Sequence, residues 1–361
     1  MDFRANLQNN LMVKLEKLLT TVGLQKVVRP RDLVAIKLHF GETGNHAYIR
    51  PTFLRTIASA VKKAEGAPFL TDANTLYSGT RGSAPNHLDT AIKNGFDYAV
   101  VEAPLVIADG LRGKSESAIP VSGKHFEYVY IGKEIAEADV LVSVAHFKGH
   151  ELSGFGGAIK NVGMGSASRK GKLAMHSTVA PRVYAEDCIG CGECVERCSQ
   201  GALTLVDEKA VMDEHLCIGC GECLLNCPNG AIRTELDQEL PDFMEGMVEY
   251  CIGVLKSKAG RAVFVNFINN ISPACDCYAA NDAPIVKNIG VAASMDPVAL
   301  DQASVDLVNA EPALPGTCLT VNTEAGDDKF RGLYPKVDWR IQLAYGEKMG
   351  LGTREYELVR I

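Results

Sequence analysis

The sequence predicts an α/β fold: a host domain built on an open, largely parallel sheet, interrupted by a small inserted α+β unit. Three features lead there. Apolar runs of strand length alternate with helix-length stretches, the rhythm of βαβ units. Polar, glycine-containing loops follow several of those runs, and an open α/β sheet gathers its site at the carboxyl ends of its strands. A cysteine phrase occurs twice between residues 188 and 227. The expected division is 1–180 for the first part of the host, 181–236 for the insert and 237–361 for the second part.

The elements follow in order. Leu7, Leu11, Leu15, Leu18, Leu19 and Val22 share one face of an opening helix over 3–23, stopped near Gly23. After Arg29-Pro30, Leu33 to Leu38 form a buried strand that feeds the polar loop His39-Phe-Gly-Glu42-Thr-Gly-Asn-His46. Pro51 starts a helix running to Glu65, since proline is tolerated in a first turn. Pro68 to Leu70 form the next strand, which ends on Thr71-Asp72-Ala-Asn74. A helix over 85–94, apolar segments at 98–108 and 126–131, and a strand from Val140 to Ala145 continue the pattern. Beyond the insert come a helix over 240–257, with Cys251 on its apolar side, and a strand from Arg261 to Ile268. Asp296 is placed to cap a helix opening at Pro297, and a last helix lies near Trp339 to Met349.

The richest loop reads His146-Phe-Lys148-Gly-His150, then Gly156-Gly157-Ala-Ile-Lys160-Asn161, with His176 further on. His146 and His150 would share a face of a helix, as in some metal sites, but Gly149 argues against a helix there. Gly163-Met-Gly165-Ser-Ala-Ser168 falls short of a dinucleotide fingerprint, and no Walker A phrase occurs. His146, His150, Lys160 and His176 are the candidate catalytic residues of this loop. Lys148, His39, Glu42 and Asp72 are the candidate cofactor-binding residues. His87 and His125 read as structural. Cys275 and Cys277, in a C-x-C phrase, complete the catalytic set as ligands of an additional soft metal or as a redox dithiol.

The repeated phrases are Cys188-Ile-Gly-Cys191-Gly-Glu-Cys194-Val-Glu-Arg-Cys198 and Cys217-Ile-Gly-Cys220-Gly-Glu-Cys223-Leu-Leu-Asn-Cys227. They match at ten of the sixteen positions from Cys188 and from Cys217, a 29-residue repeat that points to a pseudo-twofold unit. Each is the C-x2-C-x2-C-x3-C run of a bacterial ferredoxin with two [4Fe-4S] clusters, in which the fourth cysteine serves the other cluster. Cluster I would then use Cys188, Cys191, Cys194 and Cys227, and cluster II Cys217, Cys220, Cys223 and Cys198. Paired C-x2-C runs also bind zinc or form a disulfide framework, although four cysteines per run in duplicate exceed what a tetrahedral zinc site needs. Ser199 stands where the second run has Pro228, a turn position that ligates nothing.

Composition sets the surroundings. The chain has 361 residues, 47% hydrophobic and 22% charged, with no long apolar stretch and no signal-like start, so it reads as cytoplasmic and not membrane-bound. Twelve cysteines, eight of them in the two runs, imply a reducing and oxygen-poor setting. Residues 186–245 carry 14 Asp and Glu against 3 Lys and Arg, a balance of −11 that leaves the rest of the chain at +4. Nucleic acid is not the expected partner of so acidic a module; a redox partner with a basic docking face is.

The phrases Lys37-Leu-His39-Phe-Gly41-Glu42, Asp72-Ala-Asn74-Thr75, His146-Phe-Lys148-Gly-His150 with Gly156 to Asn161, Cys275-Asp-Cys277 and Asp296 to Asp301 together resemble the domain of unknown function 362 family (DUF362). Members of that family often carry a ferredoxin insert at this place. A narrower resemblance, through His146, His150 and Lys160, is to nickel-dependent lactate racemases. These use a His-x3-His pair and a glycine-flanked lysine in proton transfer and in holding a nickel pincer cofactor. They lack a ferredoxin insert and their spacing differs, so the nickel cofactor is not carried over. The leading expectation is a redox enzyme that passes electrons from the insert to a host-domain site holding a small-molecule substrate. A noncatalytic electron carrier or iron-sulfur scaffold, and a non-redox isomerase-type enzyme, are the alternatives.

Overall fold

The computed structural model describes residues 1–76, 79–176, 181–198, 200–214, 216–217, 222–233 and 240–361. In chain order its strands are β1 (Leu33–Lys37), β2 (Ala67–Asp72), β3 (Leu105–Ile107), the ribbon of β4 (Glu116–Pro120) with β5 (Tyr128–Gly132), and β6 (Val140–His146). There follow a second ribbon of β7 (Lys148–His150) with β8 (Gly154–Gly156), then β9 (Arg182–Val183), β10 (Leu203–Val206), β11 (Lys209–Met212), β12 (Ile232–Arg233), β13 (Ala262–Ile268) and β14 (Gly290–Ser294). Six of them form one sheet in the order β14-β13-β6-β1-β2-β3. Every pairing in it is parallel except β13 with β14.

The sheet is covered on both faces, so its central strands are continuous apolar runs. Val34 and Ile36, Val140, Val142 and Val144, and Val263, Val265 and Phe267 point into one core, shared with the helices Leu11–Thr21 and Pro51–Lys63. The intervening Ala35, Leu141, Ala262 and Phe264 face a second core under the helices Ala158–Ser166, Leu240–Lys256, Pro297–Asn309 and Arg340–Lys348. At roughly 1.5–3 kcal/mol for each buried Val, Ile or Phe, these two layers fix the register of the strands and hence where their carboxyl ends deliver side chains. Gly163 lets two of the covering helices touch: a Cβ there would lie 2.2 Å from the Met247 carbonyl oxygen.

The opening helix spans Leu11–Thr21, shorter than the 3–23 expected from its apolar spacing. Asparagines end it early. Asn10 accepts from the amides of Met12 and Val13, and Asn6 holds those of Gln8 and Asn9, so the chain before residue 11 turns and Leu7 is 93% exposed. Asp296 caps the helix after it as expected, accepting from Val298 and Ala299.

None of the described strands between residues 182 and 233 joins the large sheet; they make two small ribbons, β10 with β11 and β12 with β9. This segment repeats itself in space as in sequence. The helices Glu193–Arg197 and Glu222–Asn226 stand 29 residues apart, as do the starts of β10 and β12.

Candidate functional site

The carboxyl ends of β1, β2, β6 and β13 converge on a set of buried charges. Lys37, the last residue of β1, places Nζ 3.0 Å from Asp72 at the end of β2 and 2.9 Å from Oδ1 of Asn161. Asp72 also faces Arg81 and His87, each at 3.7 Å. Burial pushes the Asp72 carboxyl up, and the charges beside it, Lys37 first, outweigh it to leave the group below its ordinary value. Glu42 accepts from the Thr80 amide at 2.9 Å, from the Thr80 hydroxyl and from Arg81 Nε at 3.2 Å.

His146 ends β6 with both ring nitrogens engaged. Nδ1 is 2.8 Å from Asp276 Oδ1 and Nε2 is 2.8 Å from the Asn269 carbonyl oxygen. Lys148 lies 3.1 Å from the other Asp276 oxygen. Burial works to raise the Asp276 carboxyl, and its contacts with His146 and Lys148 instead hold it far below the carboxylate range. The buried ring therefore orients Asp276, and through it the Cys275-Asp276-Cys277 loop, rather than presenting a nitrogen to a ligand. The loop is also tied by backbone bonds from Glu42 to the Asp276 carbonyl (3.0 Å) and from Gly149 to the Ser272 carbonyl (2.8 Å). Gly149 sits so close that a Cβ would lie 2.2 Å from the Pro273 oxygen.

Cys275 is 1% exposed and Cys277 half-buried. Lys160, on the helix Ala158–Ser166, donates to Cys275 Sγ at 3.3 Å. A hydrogen bond from the Cys277 thiol, against the cost of burial and with Lys160 and Lys148 assisting, holds the Cys275 thiol well below its ordinary value. The same bond and burial push Cys277 well above it. Burial pulls the Lys160 ammonium down, but the two sulfurs prevail and its value is raised. The pair is thus a thiolate and a thiol sharing one proton beside a cation, an arrangement suited to nucleophilic, redox or soft-metal chemistry.

His150 closes the β7–β8 ribbon and is not on a helix. Its Nδ1 lies 2.9 Å from Ser153 Oγ and 3.4 Å from the Leu152 amide, and its Nε2 is 3.8 Å from a Glu151 carboxylate oxygen. Burial, then Lys160 and His176, keep the ring neutral. Phe243 packs between His150 and His176, with ring centroids 6.4 and 5.0 Å away. Burial, then Lys160 and Lys172, lower His176 to about 3. His39 is half-buried and its Nδ1 accepts from the Gly41 amide at 3.0 Å.

In the small unit, Cys188, Cys191, Cys194 and Cys227 line one cavity with Gly192, Leu205 and Ala231. Backbone amides donate to three cysteine sulfurs: Ala202 to Cys198 (3.2 Å), Ala231 to Cys227 (3.2 Å) and Ala210 to Cys188 (3.4 Å). The first two contacts are related by the 29-residue repeat. Four converging sulfurs with amide donors behind them fit an iron-sulfur cluster, whose thiolates and sulfides are stabilised by such bonds. Cys198, Cys217 and Cys223 of the second set are described, while Cys220 lies outside the described residues.

Lys160, Lys148, His39, Glu42, Asp72, His146, Cys275 and Cys277 thus belong to one network at the strand ends, with His150 and His176 beside Lys160. Sequence reasoning missed the bridging members Lys37, Arg81 and Asp276. Lys37 ends a strand otherwise apolar, which marks it. Asp276 stands inside the Cys275-Asp-Cys277 phrase but drew no role of its own, and Arg81 carries no comparable signal. Asp301 was also unforeseen: it caps the Lys160 helix by accepting from Ala158 (2.7 Å) and Ile159 (2.9 Å).

The fold and site define an α/β protein with a charged, thiol-bearing site at the strand ends and a separate cysteine-rich unit. The chain belongs to the DUF362 family, domain of unknown function, whose model matches residues 34–306. No curated protein matches it. Among solved structures it is similar to the lactate racemase apoprotein from Thermoanaerobacterium thermosaccharolyticum, with a TM-score of 0.43 and 16% identity over 83% of this chain and 57% of that one. A structural-genomics protein from Thermotoga maritima gives a TM-score of 0.38 and 9% identity over 74% of this chain and 52% of that one. The chain thus spans little more than half the length of these structures. No helix of the described residues is long and apolar enough to cross a membrane.

Proposed function

We propose that this chain is an iron-sulfur oxidoreductase with two [4Fe-4S] clusters, in which the Cys275–Cys277 pair exchanges electrons on behalf of a small-molecule substrate. The observation that carries this reading is the shared cavity of Cys188, Cys191, Cys194 and Cys227. That lining matches the crossed ligand set of a two-cluster ferredoxin, with three ligands from one run and one from the other. Cluster II falls to Cys198, Cys217, Cys220 and Cys223. When bound, such clusters supply one-electron transfers.

The host residues do the rest. Two one-electron equivalents and one proton convert a Cys275–Cys277 disulfide to the Cys275 thiolate and Cys277 thiol; the S–S bond breaks and the proton stays between the two sulfurs. Lys160 stabilises the thiolate, Asp276 with His146 and Lys148 holds the loop, and His150 stands beside Lys160 as a proton carrier or ligand. The acidic unit suits a cytoplasmic electron donor with a basic face.

An anaerobic reductive titration tests this. The oxidised protein should take up about four electrons, roughly two at the clusters and two at the disulfide. The Cys275→Ser/Cys277→Ser variant should take up about two, with its cluster absorbance unchanged. Two electrons in both proteins would favour the electron carrier over the enzyme.

A further inference from the structure

Each cation at the strand ends has an anionic partner, and one partner differs in kind. Lys37 faces Asp72 at 3.0 Å, Lys148 faces Asp276 at 3.1 Å and Arg81 faces Glu42 at 3.2 Å. These carboxylates remain charged through any redox step. Lys160 has the Cys275 sulfur at 3.3 Å; among the described residues no carboxylate lies within ion-pair distance of it, and Glu151 acts on it only from further away. Oxidation of the pair to a disulfide abolishes that negative charge. A half-buried ammonium is then left with no anion in contact and only the more distant Glu151, a state that a small anion would relieve.

The surroundings favour a single negative charge. Gly156 seats the Lys160 stem against that of Lys148: a Cβ there would lie 3.0 Å from Lys160 Cδ and 3.9 Å from Lys148 Cε. His39 feels Arg81, Lys148, Lys37 and Lys160 together after the cost of burial, which marks a positive potential at this place. Because its Nδ1 accepts from Gly41, the neutral ring carries its proton on Nε2 and is a second donor. Lys160, His39 and Cys277 are half-buried, so the site has an opening to solvent. With the other cations committed to fixed carboxylates, one cation is released, enough for a carboxylate and too little for a phosphate dianion.

We propose that the site takes a small carboxylate ligand on Lys160 when the Cys275–Cys277 pair is oxidised, and expels it when the pair is reduced. This rests on the dithiol reading above and deepens it by naming the substrate class. Formation of the Cys275 thiolate returns to Lys160 its internal partner, so reduction and ligand release are one exchange of anions. By linkage, the ligand must in turn favour the oxidised pair.

Acetate is the probe, exchanged for chloride at constant ionic strength in the anaerobic holoprotein. The midpoint of the pair should fall by about 30 mV for each tenfold rise in acetate above its dissociation constant. Cys275→Ser leaves Lys160 beside a neutral hydroxyl, so it should bind acetate in every redox state, read as line broadening of 13C-labelled acetate. Adding Lys160→Gln should abolish that broadening, with iron content and circular dichroism as folding controls. Absence of binding by Cys275→Ser, or its survival with Lys160→Gln, overturns the inference. If the wild-type pair takes up electrons at a midpoint indifferent to acetate, the carboxylate site fails and the oxidoreductase reading stands. If Cys275→Ser binds acetate through Lys160 while the wild-type pair takes up no electrons, the reverse holds.

Discussion

Replacing Lys160 with glutamine removes the cation nearest the Cys275 sulfur while keeping most of the side-chain stem. At 3.3 Å and an effective dielectric near 20, the ammonium and thiolate attract by roughly 5 kcal/mol. Lys148 also supports the thiolate and remains in the variant. Relaxation recovers part of the loss, so a third of the attraction is a conservative figure. At 1.4 kcal/mol per tenfold, that third already lowers the thiolate population by more than about tenfold at a pH where the thiol form prevails. The assay is modification of the reduced protein by methyl methanethiosulfonate, followed peptide by peptide so that the pair is read apart from the cysteines of the two runs. The first ionisation of the pair should appear as a rise in modification rate well below the ordinary thiol range, and in Lys160→Gln that rise should move to higher pH. An unchanged profile would refute the claim that Lys160 is the counterion of the pair.

Other expectations follow from the same geometry. His87 is fully buried, and burial lowers it to about 3 from 6.5. An unfolded chain binds this proton below pH 6.5 and the folded chain does not, so stability falls as pH drops through that window. The loss is about 1.4 kcal/mol between pH 7.5 and 5.5, and His87→Leu should remove it from urea unfolding curves. Gly149→Ala should cost about 2–3 kcal/mol and slow thiol modification, since its Cβ meets the Pro273 oxygen at 2.2 Å and pushes the Cys275 loop off β7. Cys227→Ala should lose about half of the bound iron and leave the signal of the cluster held by Cys217 and its partners.

Much of the sheet was legible because buried parallel strands are continuous apolar runs. Leu33 to Leu38 against Leu33–Lys37, and Arg261 to Ile268 against Ala262–Ile268, agree to within a residue. The β7–β8 ribbon was not legible, since Lys-Gly-His and Gly-Phe-Gly are too short and polar to show a period. The ion pairs were not either: Lys37 with Asp72 and Lys160 with Cys275 join residues 35 and 115 positions apart, a closeness created by strand order and invisible to spacing. His146 shows the opposite failure. A histidine in a polar loop looked like a ligand, yet its two acceptors, Asp276 and Asn269, lie more than 120 residues away. The cysteine runs were readable as a repeat because their spacing is local, and the order of helices and strands follows the same 29-residue period.

The central claim is best tested by the metal and sulfide content of anaerobically purified protein, read together with electron paramagnetic resonance of the dithionite-reduced state. The account predicts about eight irons and eight sulfides per chain, with signals of two interacting cubanes. About two zincs per chain with no acid-labile sulfide would contradict it, and would make the cysteine unit a structural metal site with no electrons to deliver.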